Sequence, residues 1–317
     1  MNSRIKHLAK LVLYLAPDRL NKYLHKKIDA RRLEESMARY KRCKVSKEEV
    51  QAVLDQIDFD RDIMLHTSTM NIGHIAGGAK WLAEEIIRRM DLTKHTLIVS
   101  ALPYFGAFAE FLKDDMVFDV HTAPIAMGAV NERMGARPDA YRSAHPTHSV
   151  VAIGKDAEFY AGTHHLDLTP FGPNSPYWKL IQRGAHVLLF GATFNNVTFI
   201  HAVEDALGDE YPVKKIYSKH IYNVNCVTQT GRKVTVRTPV HNALTCITRD
   251  SNFLFGDSVD NGIARCWKLG EGYVCDVDSI AFSRRYIELL QKGVSIYGRC
   301  RKLDPSRTLE DYIKLEV

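Results

Sequence analysis

Residues 62–78 read Asp62-Ile63-Met64-Leu65-His66-Thr67-Ser68-Thr69-Met70-Asn71-Ile72-Gly73-His74-Ile75-Ala76-Gly77-Gly78, and residues 79–90 follow with Trp81, Leu82, Ile86 and Ile87 on one helical face. A short apolar run, a loop of Ser, Thr and Gly, and an amphipathic helix form a strand–loop–helix unit, which points to the α/β class. Small loop residues let backbone N–H groups approach an anion, and the positive end of the helix dipole favours negative charge there. The loop is therefore a candidate phosphate cradle, the alternative being an ordinary turn with glycines for tight packing. Its spacing is neither G-x-G-x-x-G nor a P-loop, so NAD and ATP are not indicated.

Working outward, residues 95–99, 150–154 and 185–191 read as further buried strands, and residues 177–183 and 283–290 as helices. Residues 211–275 alternate in a β-like way, with Thr230-Gly231 as a hairpin signal. The expected body is a three-layer α/β/α domain with a mixed central sheet, a single domain over residues 58–317. Residues 1–57 form a helical extension: Ile5, Leu8, Val12 and Leu15 share a face, a second helical run continues to about Tyr40, and Ser46 to Glu49 form a capping box.

The net charge of +6 is uneven, since residues 1–50 carry 14 Lys/Arg against 6 Asp/Glu and the remainder carries 29 against 31. A near-neutral body argues against nucleic acid as a partner. The basic arm is expected to pack on its own body or on a second subunit, with an anionic membrane surface as the other reading. No segment reaches the ~20 apolar residues of a membrane span, and the N-terminus lacks a signal-peptide core, so a cytoplasmic protein is expected. The six cysteines show no metal-ligand spacing, which fits a reducing compartment.

Tyr141-Arg142-Ser143-Ala144-His145-Pro146-Thr147-His148-Ser149 precedes the buried run 150–154. A histidine at the mouth of a strand, beside the fixed φ of a proline, is placed to act as a general base; the bland alternative is a polar residue in a surface turn. Thr163-His164-His165-Leu166-Asp167 invites a metal reading, but adjacent side chains point apart and no third ligand follows, so no metal is expected. His201 and Glu204, three residues apart, would share a helix face.

Four of these stretches, in order, resemble the aminoglycoside 3-N-acetyltransferase family. Leu65-His66-Thr67-Ser68-Thr69 with Gly73 and Gly77-Gly78-Ala79 is similar to its coenzyme A loop. Residues 141–149 are similar to its "RSxHPxxS" motif, and Gly172-Pro173-Asn174-Ser175-Pro176 to "GxxSP". Residues 187–191 with 196–204 are similar to "VLLLG…xVTxLHxAE". The resemblance spans residues 62–210 and implies acetyl-CoA as acyl donor. His66, Thr67, Ser68, Thr69, Gly73, Gly77 and Gly78 would contact it. His145 would be the general base, Glu204 its orienting acid or a substrate contact, and Tyr104, Ser175 and His201 contacts to a small-molecule amine. Direct transfer requires no acyl-enzyme. The "GxxSP" segment lacks the family's acidic residue, and polycationic acceptors benefit from acidic pockets. The expected reaction is therefore N-acetylation of an amino sugar or nucleotide sugar. An aminoglycoside antibiotic, a non-catalytic scaffold and an acyl-sugar hydrolase are the alternatives.

Overall fold

The computed structural model describes residues 18–104 and 106–316. The helical face expected over residues 5–15 lies outside them. The strands that matter are β1 (Ile63–Thr67), β2 (Thr96–Ser100), β3 (Val117–Asp119), β4 (Tyr141–Arg142), β5 (Val150–Gly154), β6 (His186–Phe190), β7 (Tyr217–Val227), β8 (Lys233–His241), β9 (Ala264–Leu269) and β10 (Gly272–Asp278). A seven-stranded sheet has the order β9-β10-β6-β1-β2-β5-β4. Its centre, β6-β1-β2, is parallel, and the remaining neighbours are antiparallel, so the sheet is mixed as expected.

Strands buried on both faces read as unbroken apolar runs, and their period of two divides the residues between two cores. Met64, Val150, Ala152, Val187 and Leu189 face one core. Helices α5 (Ala157–Ala161), α6 (Pro176–Gln182), α7 (Ile200–Leu207) and α8 (Ser279–Gln291) cover that side. Ile63, Leu65, Val151, Ile153, Leu188 and Phe190 face the other core, under α2 (Lys47–Leu54), α3 (Gly78–Arg88) and α4 (Ala129–Gly135). The result is the three-layer α/β/α body. The stretch expected to be β-like throughout is not uniform. Strands β7 and β8 form a hairpin that joins β3 in a second sheet, whereas residues 243–247 and 254–260 are helical. Asn242 starts the first of these helices by accepting from the N–H of Leu244, a capping signal that outweighs local alternation.

The N-terminal extension is not detached from the body. Helix α1 (Asp18–Arg42) leads into the two-residue strand Lys44–Val45, which pairs in parallel with His74–Ile75 inside the glycine loop. Ser46 and Glu49 close the expected capping box. Val45, Val50, Val53, Leu54 and Ile57 are buried in the same core as β1. A boundary at residue 57 therefore runs behind side chains that the body needs.

Candidate active site

A cavity of about 590 Å³ opens at the carboxyl ends of β1 and β2, where parallel α/β sheets bind ligands. His66 reaches it from β1, Ser100 ends β2, and Thr147 and His148 come from the turn before β5. Asn195, Asn196, Thr198 and His201 come from the segment after β6, Val240 and His241 from the end of β8, and Arg249 from beyond the hairpin. Tyr104, stacked on Phe111 at 5.0 Å, forms part of the opposite wall.

Helix α7 supplies the best-built pair. Oε2 of Glu204 lies 2.7 Å from Nδ1 of His201, and both side chains are buried. Glu204 also accepts from the hydroxyl of Tyr211 at 2.8 Å and from that of Tyr297 at 3.3 Å. The hydroxyls of Tyr211 and Tyr286 lie 2.7 Å apart beneath it. On the cavity side, Nη1 of Arg249 is 3.1 Å from Nε2 of His201. A guanidinium can only donate, so Nε2 carries the lone pair and Nδ1 the hydrogen that Glu204 accepts. Burial pushes the His201 imidazole well below its ordinary pKa, keeping it neutral, and pushes the Glu204 carboxyl up to about 7. A neutral imidazole, oriented by a carboxylate through one nitrogen and holding its lone pair on the other beside a cavity, where Arg249 now donates to it, has the parts a general base needs.

His145 occupies a different position. It is fully buried, lies outside the cavity lining, and stacks on His164 at 4.5 Å. The backbone N–H groups of Thr147 and His148 both point at its Nδ1, at 3.4 Å, so its lone pair is spent on holding the turn. Its Nε2 is buried without a hydrogen-bond partner among the described residues. Glu204 orients His201, not His145. Among the described residues the hydrogen bonds of Glu204 run to His201 and to tyrosine hydroxyls, whereas His145 bonds the turn at Thr147 and His148.

The other expected contacts divide. Tyr104, His201 and His66 line the cavity. Ser175 does not: it is buried and caps α6, its Oγ accepting from the N–H of Trp178 at 3.2 Å, with Pro176 at the first helical position. In the glycine loop, the N–H of His74 donates to the carbonyl of Cys43 and that of Ala76 to that of Val45, so two donors of this loop are taken up by the arm. A Cβ at Gly73 would lie 2.7 Å from the Cys43 carbonyl oxygen, and Gly73 has a φ of +129°; glycine there serves the docking of the arm. Thr67 donates to Asn131 at 2.8 Å. Ser68, Thr69, Gly77 and Gly78 also lie outside the cavity lining.

Arg142 is a structural clamp. Its guanidinium donates to the carbonyls of Ala101 at 2.7 Å and Pro124 at 2.8 Å, and also to that of Ala123. Ser143 accepts from the N–H of Val150 at 2.9 Å. His164 and Asp167 are likewise engaged, with Pro170 and Asn174 respectively.

Residues that no sequence signal singled out complete the wall: His148, His241 and Arg249. His148 stood in the quoted motif but was eclipsed by its neighbour. Nε2 of His66 and of His241 are buried and have no partner among the described residues, so they are free to bond a ligand in the cavity. A second cavity of about 450 Å³ lies on the other side of residues 191–196, lined by Asn71, Phe194, Phe255 and Tyr273 among others, with Arg39 of the arm at its edge. Adjoining polar and aromatic-lined cavities suit an extended cosubstrate with polar and ring-bearing ends.

Residues 64–254, more than half of the chain, match the family model described as aminoglycoside 3-N-acetyltransferase. The aminoglycoside N(3)-acetyltransferase III of Pseudomonas aeruginosa is 28% identical over 187 residues, covering 55% of this chain and 66% of the relative. The aminoglycoside N(3)-acetyltransferase VII of Streptomyces paromomycinus is 32% identical over 160 residues, covering 46% and 54%. The chain thus spans from about half to just under two thirds of the length of these curated relatives. The fold is similar to that of AAC-IIIb, solved as a binary complex with CoASH, at a TM-score of 0.63 and 21% identity over 78% of this chain and 97% of that one. It is similar also to aminoglycoside acetyltransferase AAC(3)-Xa, at 0.62 and 23% over 81% and 96%. On a family-model match over more than half of its length, the chain belongs to the aminoglycoside 3-N-acetyltransferase family.

Proposed function

We propose that this protein is an acetyl-CoA-dependent N-acetyltransferase acting on an amine of an amino-sugar acceptor, with His201 as general base. The observation that carries the reading is the His201–Glu204 pair, neutral, oriented and presented to a cavity. The names of the relatives support an amine on an aminoglycoside-type ring rather than the nucleotide sugar expected from sequence. Acetyl-CoA would supply an acyl group already activated as a thioester. Nε2 of His201 takes the proton from the attacking nitrogen as the N–C bond forms, and Glu204 stabilises the resulting imidazolium through Nδ1. The imidazolium returns that proton to the sulfur that leaves as the C–S bond breaks, so free thiol departs and His201 is neutral again. The three tyrosines around Glu204 hold it in place. His66 and Ser100 at the strand ends, with Asn196 and His241, are placed to hold the thioester end. Asn71, Phe194, Phe255 and Tyr273 in the second cavity are placed to hold the distal end.

Among the described residues no helix is long and apolar enough to cross a membrane. The six cysteines form no disulfide among the described residues, a pattern that suits a reducing compartment and supports a cytoplasmic setting. Release of free thiol from acetyl-CoA, followed with a panel of amino sugars and aminoglycosides, tests the reading. Acceptor-dependent release that falls about 10²–10⁴-fold in His201→Ala is expected. Unchanged turnover in that variant excludes His201 as the base.

A further inference from the structure

Resting on that reading, we propose that Arg249 selects the acceptor, and that the acceptor carries an anionic group, a phosphate or a carboxylate, close to the amine that is acylated.

The inference comes from the charge of the cavity wall. Among its described lining residues there is no Asp or Glu. The four lining histidines, His66, His148, His201 and His241, are held neutral by burial. Arg249 is the one Arg or Lys among the described residues of that wall. The two acidic residues nearest beneath it are committed elsewhere: Glu204 to His201 and the tyrosines, and Asp205 to the hydroxyl of Tyr217 at 2.8 Å. A polycation entering here meets a guanidinium at the wall, while the carboxylate that interacts with that guanidinium, Glu204, lies buried behind His201.

Among the described residues no carboxylate forms an ion pair with Arg249, and its recorded hydrogen bond runs to Nε2 of His201. That bond covers the lone pair the base needs. An anion on the acceptor would draw the planar guanidinium into a two-pronged pairing, the geometry Arg is built for, and uncover Nε2 as the acceptor's amine arrives. Coenzyme A also carries phosphates, but they sit at the far end of an extended pantetheine arm. With the thioester at His201, they cannot reach a group 3.1 Å from its Nε2.

The test compares glucosamine, glucosamine 6-phosphate and kanamycin as acceptors, by kcat/KM with acetyl-CoA, in wild type, Arg249→Gln, Arg249→Lys and Arg249→Glu. The phosphorylated amine is expected to exceed glucosamine by roughly tenfold or more, the scale of one charge-assisted hydrogen bond, with kanamycin last. Arg249→Gln should collapse that ratio, Arg249→Lys should keep part of it, and Arg249→Glu should shift it towards kanamycin. Calorimetric titration with glucosamine 6-phosphate should show binding to wild type that Arg249→Gln loses, with circular dichroism confirming that the variant is folded. A wild-type preference for kanamycin overturns the proposal, as does a ratio that Arg249→Gln leaves unmoved. So does a change confined to the KM of acetyl-CoA, which would assign the guanidinium to the cosubstrate. Arg249-dependent binding without any acetylation would leave the anion site standing and remove the acetyltransferase reading. Acetylation indifferent to acceptor charge would do the reverse.

Discussion

Replacing Glu204 by Gln separates catalysis from stability in a way a merely structural residue cannot. The carboxylate is fully buried and accepts from His201 at 2.7 Å and Tyr211 at 2.8 Å. A glutamine keeps the shape, and the tyrosine hydroxyls can rotate to accept from its amide. What disappears is the negative charge facing the imidazolium that forms when His201 takes a proton. Exchanging a charged for a neutral hydrogen-bond acceptor loses about 1–2 kcal/mol, and the full charge interaction at this range reaches about 4 kcal/mol. The expected fall in kcat is therefore roughly 10- to 10³-fold. Stability should move the other way. Burial raises the Glu204 carboxyl from an ordinary 4.5 to about 7, which puts about 3 kcal/mol of penalty on the ionised form in the folded state. Because the folded pKa is the higher one, that penalty is absent below about pH 4.5 and complete only as pH rises through about 7. At pH 8 the variant should thus denature at higher urea concentration than wild type, while at pH 4.5 the two should coincide. Wild-type kcat should also climb through about pH 7 as Glu204 ionises, a limb the variant lacks. Steady-state kinetics and urea titrations across pH provide the assay. Retention of kcat within about threefold, or parallel loss of activity and stability at pH 8, would refute the assigned role.

Three further outcomes are expected. His145→Ala should fold less stably by about 1–3 kcal/mol, since two backbone N–H groups lose their acceptor, and should lower kcat less than His201→Ala does; a larger kinetic loss than His201→Ala returns the base role to His145. Arg142→Ala should destabilise by about 3 kcal/mol or more, because the carbonyls of Ala101 and Pro124 are left unpaired, and thermal denaturation checks it. A chain beginning at residue 58 should not fold. It lacks Val45, Val50, Val53 and Leu54, whose burial at about 1.5–3 kcal/mol each rivals a domain's whole stability, and circular dichroism would show it.

Local chemistry made much of the body readable. The apolar runs of β1, β5 and β6 announce strands buried on both faces, and Ser46 announces a helix start, whereas the cap at Asn242 was masked by the alternation around it. Ser175 shows the limit of such reading, because one Ser-Pro pair serves equally as a helix cap and as a ligand contact, and only its partner, the N–H of Trp178, decides between them. The glycine loop shows it again: glycines that permit close approach do not say what approaches, and here it is the chain's own arm at Cys43.

The sequence by itself determined the class of fold, the resemblance to the family and the presence of a histidine–carboxylate pair three residues apart, because each of these is written in short motifs and local periodicity, whereas the strand directions of the mixed sheet come from pairings between distant segments. Only the tertiary structure separates the two histidines as candidates for the proposed base. His145 and His201 carry similar local credentials. What separates them is that two N–H groups of a tight turn occupy the lone pair of one, whereas a buried carboxylate and a guanidinium from 48 residues away set the tautomer of the other. Arg249 has no signature in its own neighbourhood, since its meaning comes from the neutral wall that distant strands assemble around it.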